Sequence, residues 1–187
     1  MKPLTDQYLN VVLDCAGLVV AIVLTTIVVS KTSKSLASFF ILPAILLGVH
    51  VYGNTVQELE LGPEWIRNHL HNTGVAGISM IWAMFFTLLS MRPNARFTRN
   101  QMRIKTARYA MNMSLFYWIF STCTGVAIEI LTVTIWGEDS KAAGYSGELD
   151  WFDLSAYAVG LTIVVTNYLW LKPRVIAKMR QRYGVYA

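Results

Sequence analysis

The chain has 187 residues, of which 55% are hydrophobic and only 14% are charged, against about 25% charged residues in an average soluble domain. This balance argues against an ordinary soluble domain and indicates a protein whose solvent is lipid, while the length suits a single domain over residues 1–187. The net charge of +5 lies mainly in short basic segments beside apolar runs, so nucleic acid is not expected as a partner.

Five apolar segments are long enough to cross the hydrocarbon core of a membrane as helices, which takes about 20 residues each. They cover residues 8–30, 35–53, 72–91, 108–136 and 151–171. The sequence therefore predicts an all-α, polytopic membrane protein, a bundle of five transmembrane helices. Gly62-Pro63-Glu64 is typical of a helix start, so we also expect a short interfacial helix over residues 64–71, before the third span.

The charged residues divide between the two sides of these segments. Residues 31–34, 92–108 and 172–187 together contain 13 of the 16 Lys and Arg residues and none of the 11 acidic residues. Cytoplasmic loops carry the Lys/Arg excess, which predicts an outer N-terminus and a cytoplasmic C-terminus, in a prokaryotic cytoplasmic membrane. The loop between Arg92 and Arg108 sets this topology, and it could also attract anionic lipid headgroups.

Small and amide side chains inside the spans predict close helix packing. Each span has two small residues four positions apart: Gly17 and Ala21, Ala44 and Gly48, Ser79 and Ala83, Ser121 and Gly125, and Ala156 and Gly160. Such pairs let helix backbones approach closely in lipid, and amide side chains there usually bond to a neighbouring helix. We expect this of Asn54, Asn112 and Asn167.

Five ionisable residues are candidate site residues, because all of them fall near the outer boundary. Asp14 and Glu129 lie inside the first and fourth spans, each roughly 10 Å below the outer surface at 1.5 Å per residue. His50 lies near the outer end of the second span, and His69 and His71 precede the third. An ionisable group inside a membrane is costly and is a functional-site hypothesis by default. The sequence predicts that Asp14, His50 and Glu129 converge, with His69 or His71 above them.

Carboxylate and imidazole ligands suit iron, copper, zinc or manganese, so the five residues are predicted metal ligands. A single haem b is another cofactor that histidines near one surface could hold, whereas three histidines are too few for two haems. The same groups could instead exchange protons beside a quinone or line a transport path. In the purely structural alternative, the two carboxyl groups bond to neighbouring helices and the loop histidines are solvated.

Three functions remain open from the sequence. The first is a membrane subunit of a larger complex, with a role in electron transfer, bound to other subunits or to further copies of itself. It rests on small loops and on the absence of a recognisable enzyme motif. The second is a small metal-dependent membrane enzyme of the oxidase kind. The third is an oligomeric channel or transporter.

Overall fold

The computed structural model describes residues 4–63, 70, 79–91, 97–142 and 151–185. Its elements are α1 (Leu4–Lys31), a 3₁₀ turn (Lys34–Leu36), α2 (Ala37–Glu58), α3 (Ser79–Ser90), α4 (Arg99–Ala142) and α5 (Trp151–Tyr183). Within these residues the protein is all-α, and α1, α2, α4 and α5 are long and apolar enough to cross a membrane. The described part of the apolar helix α3 is shorter, and residues 72–78 of the predicted third span lie outside the described residues. Except for Leu70, the predicted interfacial helix over residues 64–71 lies outside the described residues.

The described helices pack as a closed ring. α1 contacts α2 and α3, α3 contacts α4, α4 contacts α5, and α5 returns to α2. The indole of Trp118 on α4 is fully buried in the middle of this ring, between Leu46 of α2 and Val164 of α5. Outward-facing side chains of α1, such as Leu9, Val12 and Leu13, are apolar and exposed, as expected of a surface in contact with lipid.

The largest apolar core lies at the end of the bundle where the basic segments meet, which we call the basic end. Val28 of α1, Leu36 of the 3₁₀ turn, Ile104 of α4, and Val175 and Met179 of α5 are all buried in one cluster. The Tyr183 hydroxyl donates to the backbone carbonyl of Thr32 at 2.8 Å. The basic segments that the sequence assigned to one side are therefore neighbours in space.

Local hydrogen bonds explain why α4 begins before the predicted span. Thr98 and Gln101 form a capping box: the Thr98 amide donates to the Gln101 side chain at 2.9 Å, and the Gln101 amide donates to the Thr98 hydroxyl at 3.3 Å. This reciprocal pair satisfies two amide groups that a helix start leaves unpaired. Residues 99–108, predicted as part of a loop, therefore form the first turns of α4.

The helix α5 likewise continues past residue 171, where the fifth predicted span ends. Val175, Ile176 and Met179 are buried, so the continued helix covers the basic end. It stops at Gly184, whose φ of 62° is left-handed, and the Val185 amide donates back to the Arg180 carbonyl at 3.2 Å. This is the Schellman pattern of a helix C-terminus, so the end of α5 is specified locally.

A hydrogen bond between α5 and α2 compensates for a proline inside α2. Pro43 has no N–H, so the carbonyl of Phe39, four residues earlier, lacks its helical partner. The side-chain amide of Asn167 donates to that carbonyl at 3.1 Å, and Phe39, Pro43 and Asn167 are all buried. The predicted interhelical bond of Asn167 is thus confirmed, and it satisfies an acceptor that water cannot reach.

Two of the small residues lie where another helix comes close. A Cβ atom at Gly125 of α4 would lie 2.8 Å from the ring of Tyr157 on α5, closer than nonbonded carbon atoms pack. A Cβ at Gly17 of α1 would meet Ile81 of α3 at 3.7 Å, which is ordinary contact. Gly48, by contrast, has open space around it. Of these three positions, therefore, only Gly125 requires a glycine for the helices to approach this closely.

Candidate functional site

Polar side chains follow one another along the contact between α1 and α2. Asn10 and Asp14 are one helical turn apart on α1, and Glu58, Asn54 and His50 are successively one turn apart on α2. The Asn10 side-chain amide donates to Glu58 Oε1 at 3.0 Å, and the Asn54 side-chain amide donates to Asp14 Oδ2 at 3.0 Å. The pairs lie in register because the two helices run antiparallel.

Asn54 also contacts His50, so that one amide group joins a carboxylate to an imidazole. The Asn54 amide nitrogen lies 3.1 Å from His50 Nε2. An amide nitrogen only donates, so Nε2 accepts, and a neutral His50 carries its proton on Nδ1. The opposite amide orientation would turn the Asn54 oxygen toward the carboxylate of Asp14. We call Asp14, Asn54 and His50 the Asp14 cluster.

The Asp14 cluster lies inside the apolar interface between the two helices. His50 is only 4% exposed, while Asp14 and Asn54 are partly buried. One turn further from the C-terminal end of α2, Leu47 is buried against Ala21 of α1. Asp14 lies six residues beyond Tyr8, where the membrane-crossing stretch of α1 begins, which is about 9 Å at 1.5 Å per residue. The His50 ring is therefore shielded from bulk water, and the Asp14 carboxyl group is shielded in part.

The structure brings together two of the five predicted site residues. Asp14 and His50 share Asn54 as a partner. Glu129 belongs to α4, which packs mainly on α3 and α5, and its side chain is not among those described; His69 and His71 lie outside the described residues. The described side chains contain no group of three or more His, Cys, Asp or Glu that could hold a metal ion. The complete five-residue site stays a prediction.

The sequence alone did not single out Asn10, Asn54 and Glu58 as site residues. Asn54 was expected to bond to another helix, which is confirmed, but not to join two candidate site residues. The Asn10 and Glu58 pair was not anticipated at all. The available signal was spacing, because two residues four apart on one helix and three residues four apart on the next can pair in an antiparallel contact.

A second polar group joins α4 to α5 near the basic end. Asn112 Oδ1 accepts from the Tyr168 hydroxyl at 2.9 Å and from Lys172 Nζ at 2.8 Å, and Lys172 also donates to the Tyr168 hydroxyl. The ammonium group lies 4.4 Å from the Tyr168 ring centroid. The predicted interhelical bond of Asn112 is therefore confirmed, and it holds a lysine at the boundary of the apolar segment.

Aromatic side chains make a continuous surface across α3 and α4. On α3, Trp82 contacts Phe85 and Phe86; Phe86 stacks on Tyr117 of α4 with ring centroids 5.6 Å apart. The contacts continue from Tyr117 to Phe116 and on to Phe120. All of these except Tyr117 are exposed in the isolated chain. We call this surface the aromatic face.

The residues that the structure describes thus form an all-α bundle with four helices able to span a membrane and a polar cluster between the first two. Comparison of the chain with protein-family models, curated protein sequences and solved structures found no match.

Proposed function

We propose that this protein is a membrane-embedded subunit of a larger membrane complex and that the Asp14 cluster is its proton-handling site. The observation that carries the proposal is the placement of one amide nitrogen within hydrogen-bond distance of both Asp14 Oδ2 and His50 Nε2. Carboxyl and imidazole groups are the side chains that most often transfer protons in proteins. Ionisable residues inside membrane segments often belong to proton relays.

Asn54 couples protonation to the packing of α1 on α2. It donates to both neighbours: the bond to His50 requires a proton-free Nε2, and the bond to Asp14 is stronger when the carboxyl group is ionised. A proton arriving at Nε2 replaces the Asn54 hydrogen there and breaks that bond, and a proton arriving at Asp14 weakens the other bond. Protonation therefore loosens the contact between α1 and α2 at this depth, which is how a proton could change the structure of the bundle.

Infrared difference spectroscopy of the purified protein during a pH titration tests the proposal. We expect a carboxylic acid signal that Asp14→Asn removes and Asn54→Leu shifts, because the Leu side chain donates no hydrogen bond to the carboxylate. Glu58→Gln, one turn toward the end of α2, is the matched control and should leave the Asp14 signal in place. A wild-type protein in which Asp14 keeps one protonation state wherever it remains folded would contradict the proposal.

Metal binding by Asp14, His50, His69, His71 and Glu129 is the competing use of the same region. It requires Asn54 to release His50 Nε2, or His50 to bind through Nδ1. Metal analysis of the purified protein separates the two functions: stoichiometric iron, copper or zinc that Asp14→Asn abolishes would favour the metal site. A visible spectrum of the same sample tests for a haem b and for a role in electron transfer.

The aromatic face supports the assignment to a complex. Aromatic residues are enriched at protein interfaces because they bury a large rigid area at low entropic cost. We propose that another subunit or a second copy covers Trp82, Phe86 and Phe120. Mass determination in a mild detergent should give a particle heavier than the 21.1 kDa chain. A monomer in both detergent and nanodiscs would count against a subunit role and would favour the small-enzyme alternative; a self-assembled oligomer that conducts ions would favour a channel.

We further propose that α3 is the core of a fifth span and that the N-terminus is outside. With α3 crossing, the basic segments 31–34, 92–108 and 172–187 all lie on the cytoplasmic side. Cysteines introduced at Leu61, before α3, and at Thr98, between α3 and α4, test this with a membrane-impermeant reagent. Labelling of both positions from the same side would overturn the five-span topology.

A further inference from the structure

Two adjoining cavities lie between the first turns of α4 and the last turns of α5. The larger, about 800 Å³, is lined by Arg108, Lys172 and Arg180 and by the apolar side chains of Leu169, Pro173 and Ile176. The smaller, about 360 Å³, shares Arg108 and Arg180 and adds Lys105. We call the two together the basic cleft. Its larger part falls in the size range of small-molecule sites, about 300–1,000 Å³.

Charge is one-sided in the basic cleft. Four cationic side chains line it, and among the described lining residues there is no Asp or Glu. The sequence has no Asp or Glu anywhere in residues 92–128 or 154–187, so no acidic side chain of either segment can neutralise these cations. An anion is the ligand that such a site favours.

The donors of the cleft are available to a ligand. The guanidinium groups of Arg108 and Arg180 have no hydrogen-bond or ion-pair partner among the residues that the structure describes. Lys172 donates to Asn112 and Tyr168, which fixes its position but leaves one of its three N–H groups free. Arginine suits phosphate in particular, because its planar group can donate two parallel hydrogen bonds to two oxygens.

The position of the cleft distinguishes a lipid from a soluble anion. Leu169 and Trp170 beside it are 66% and 60% exposed, and Arg174 lies over the Trp170 ring at 4.1 Å. An exposed tryptophan next to basic residues is typical of the membrane–water boundary. The cleft therefore has an apolar side for acyl chains and a cationic side for a headgroup, and basic pockets between transmembrane helices are known to bind anionic headgroups.

We propose that the basic cleft is a specific site for an anionic phospholipid, with the phosphate held by Arg108, Lys172 and Arg180. This goes beyond attraction to the basic segment between Arg92 and Arg108, because most of the binding residues belong to α5. It is also independent of the Asp14 cluster, which lies near the opposite ends of α1 and α2.

Lipid titration of the purified full-length protein, read by native mass spectrometry, tests the site with phosphatidylglycerol as the probe and phosphatidylcholine as the neutral comparison. A basic residue near the surface contributes about fivefold in affinity for anionic lipid, so Arg108→Gln with Arg180→Gln should weaken phosphatidylglycerol binding by more than about tenfold. Arg99→Gln with Lys178→Gln is the matched control: both residues are exposed on the same two helices and outside the cleft. It should change binding less than about twofold.

Two further measurements test the proposal if the Arg108→Gln, Arg180→Gln double variant fails to fold. Photoactivatable phosphatidylglycerol added to the wild-type protein should crosslink to residues 168–181 of α5, and crosslinking confined to other segments would overturn the proposal. Equal loss of binding in the two double variants would also overturn it, since binding would then depend on the overall positive charge of the two helices and not on a specific site. Glycerol phosphate and inorganic phosphate should compete weakly; either one binding as tightly as the lipid would show that the cleft takes a soluble anion instead.

Discussion

Asn54 determines which form of His50 is compatible with the packing of α1 on α2. Because the Asn54 amide donates to Nε2 at 3.1 Å, we expect a neutral His50 to be protonated on Nδ1. Nitrogen NMR of histidine-labelled protein distinguishes the two tautomers directly, and His50→Gln identifies the signal. An Nε2-protonated His50 in the folded wild-type protein would contradict the hydrogen-bond scheme and with it the coupling role of Asn54.

Replacing Asn54 should also cost stability. Asn54→Ala removes the donor that joins Asp14 to His50 in a largely apolar contact, and the loss of a buried hydrogen-bond partner costs about 1–3 kcal/mol. Asn10→Ala, which removes a single bond nearer the helix ends, is the control and should cost less. Unfolding in mixed micelles gives both values. Equal costs would mean that Asn54 acts only as one interhelical bond among several.

At the scale of helices, Gly125 and Gly48 make a matched pair. Gly125→Ala should destabilise the bundle, since the new Cβ would lie 2.8 Å from the buried Tyr157 ring, and either the ring or the two helices would have to shift. Gly48→Ala has open space and should instead stabilise by about 0.5–1 kcal/mol, because alanine is the better helix former. Adding Tyr157→Leu should relieve Gly125→Ala. Thermal unfolding in detergent measures all three, and a neutral Gly125→Ala would refute the close approach.

The bond between Asn167 and Phe39 predicts a rescue. Asn167→Ala should destabilise by about 1–3 kcal/mol, because it leaves the Phe39 carbonyl buried without a donor. Pro43→Ala restores a backbone N–H that can bond to that carbonyl within α2. The double variant should therefore be more stable than Asn167→Ala alone. An additive loss in the double variant would show that Pro43 is not the reason for the interhelical bond.

Helix interiors could be predicted from the sequence, whereas their ends could not. Long apolar runs such as the one after Tyr8 leave few alternatives to a membrane helix. The ends depend on local groups that hydropathy does not weigh: the Thr98 and Gln101 capping box begins α4 inside a basic segment, and Gly184 ends α5 beyond Pro173. Both are readable signals, but they lie outside the apolar runs that defined the predicted spans.

For the molecule as a whole, the basic end is part of the folded core rather than a tail. Met179 is fully buried there although it lies only five residues after the basic Arg174. We expect Met179→Ala to cost about 2–5 kcal/mol, as for a buried methionine, while the adjacent exposed Lys178→Ala stays within about 0.5 kcal/mol. Denaturant unfolding monitored by circular dichroism provides the comparison. Similar values for the two variants would indicate that residues 172–183 do not pack on the bundle.

The candidate site was predictable only where the helices proved to be neighbours. Depth along a helix can be counted from the sequence, so Asp14 and His50 were correctly assigned to similar levels. Which helices contact each other depends on how they pack in the ring, and neither the hydropathy nor the charge of the sequence determines this. α1 and α2 pack together, which joins Asp14 to His50 through Asn54, whereas the convergence of Glu129 with them stays a prediction.

The Phe39 carbonyl has a consequence for biogenesis. During synthesis α2 is made long before Asn167 leaves the ribosome, since chains fold from the N-terminus as they emerge. Until α5 inserts, the first hairpin carries a backbone acceptor in hydrocarbon whose intended donor does not yet exist. Truncated chains ending before Asn167 should therefore be more susceptible to membrane quality-control proteases than full-length protein, and Pro43→Ala should extend the lifetime of such fragments by giving the hairpin an internal donor.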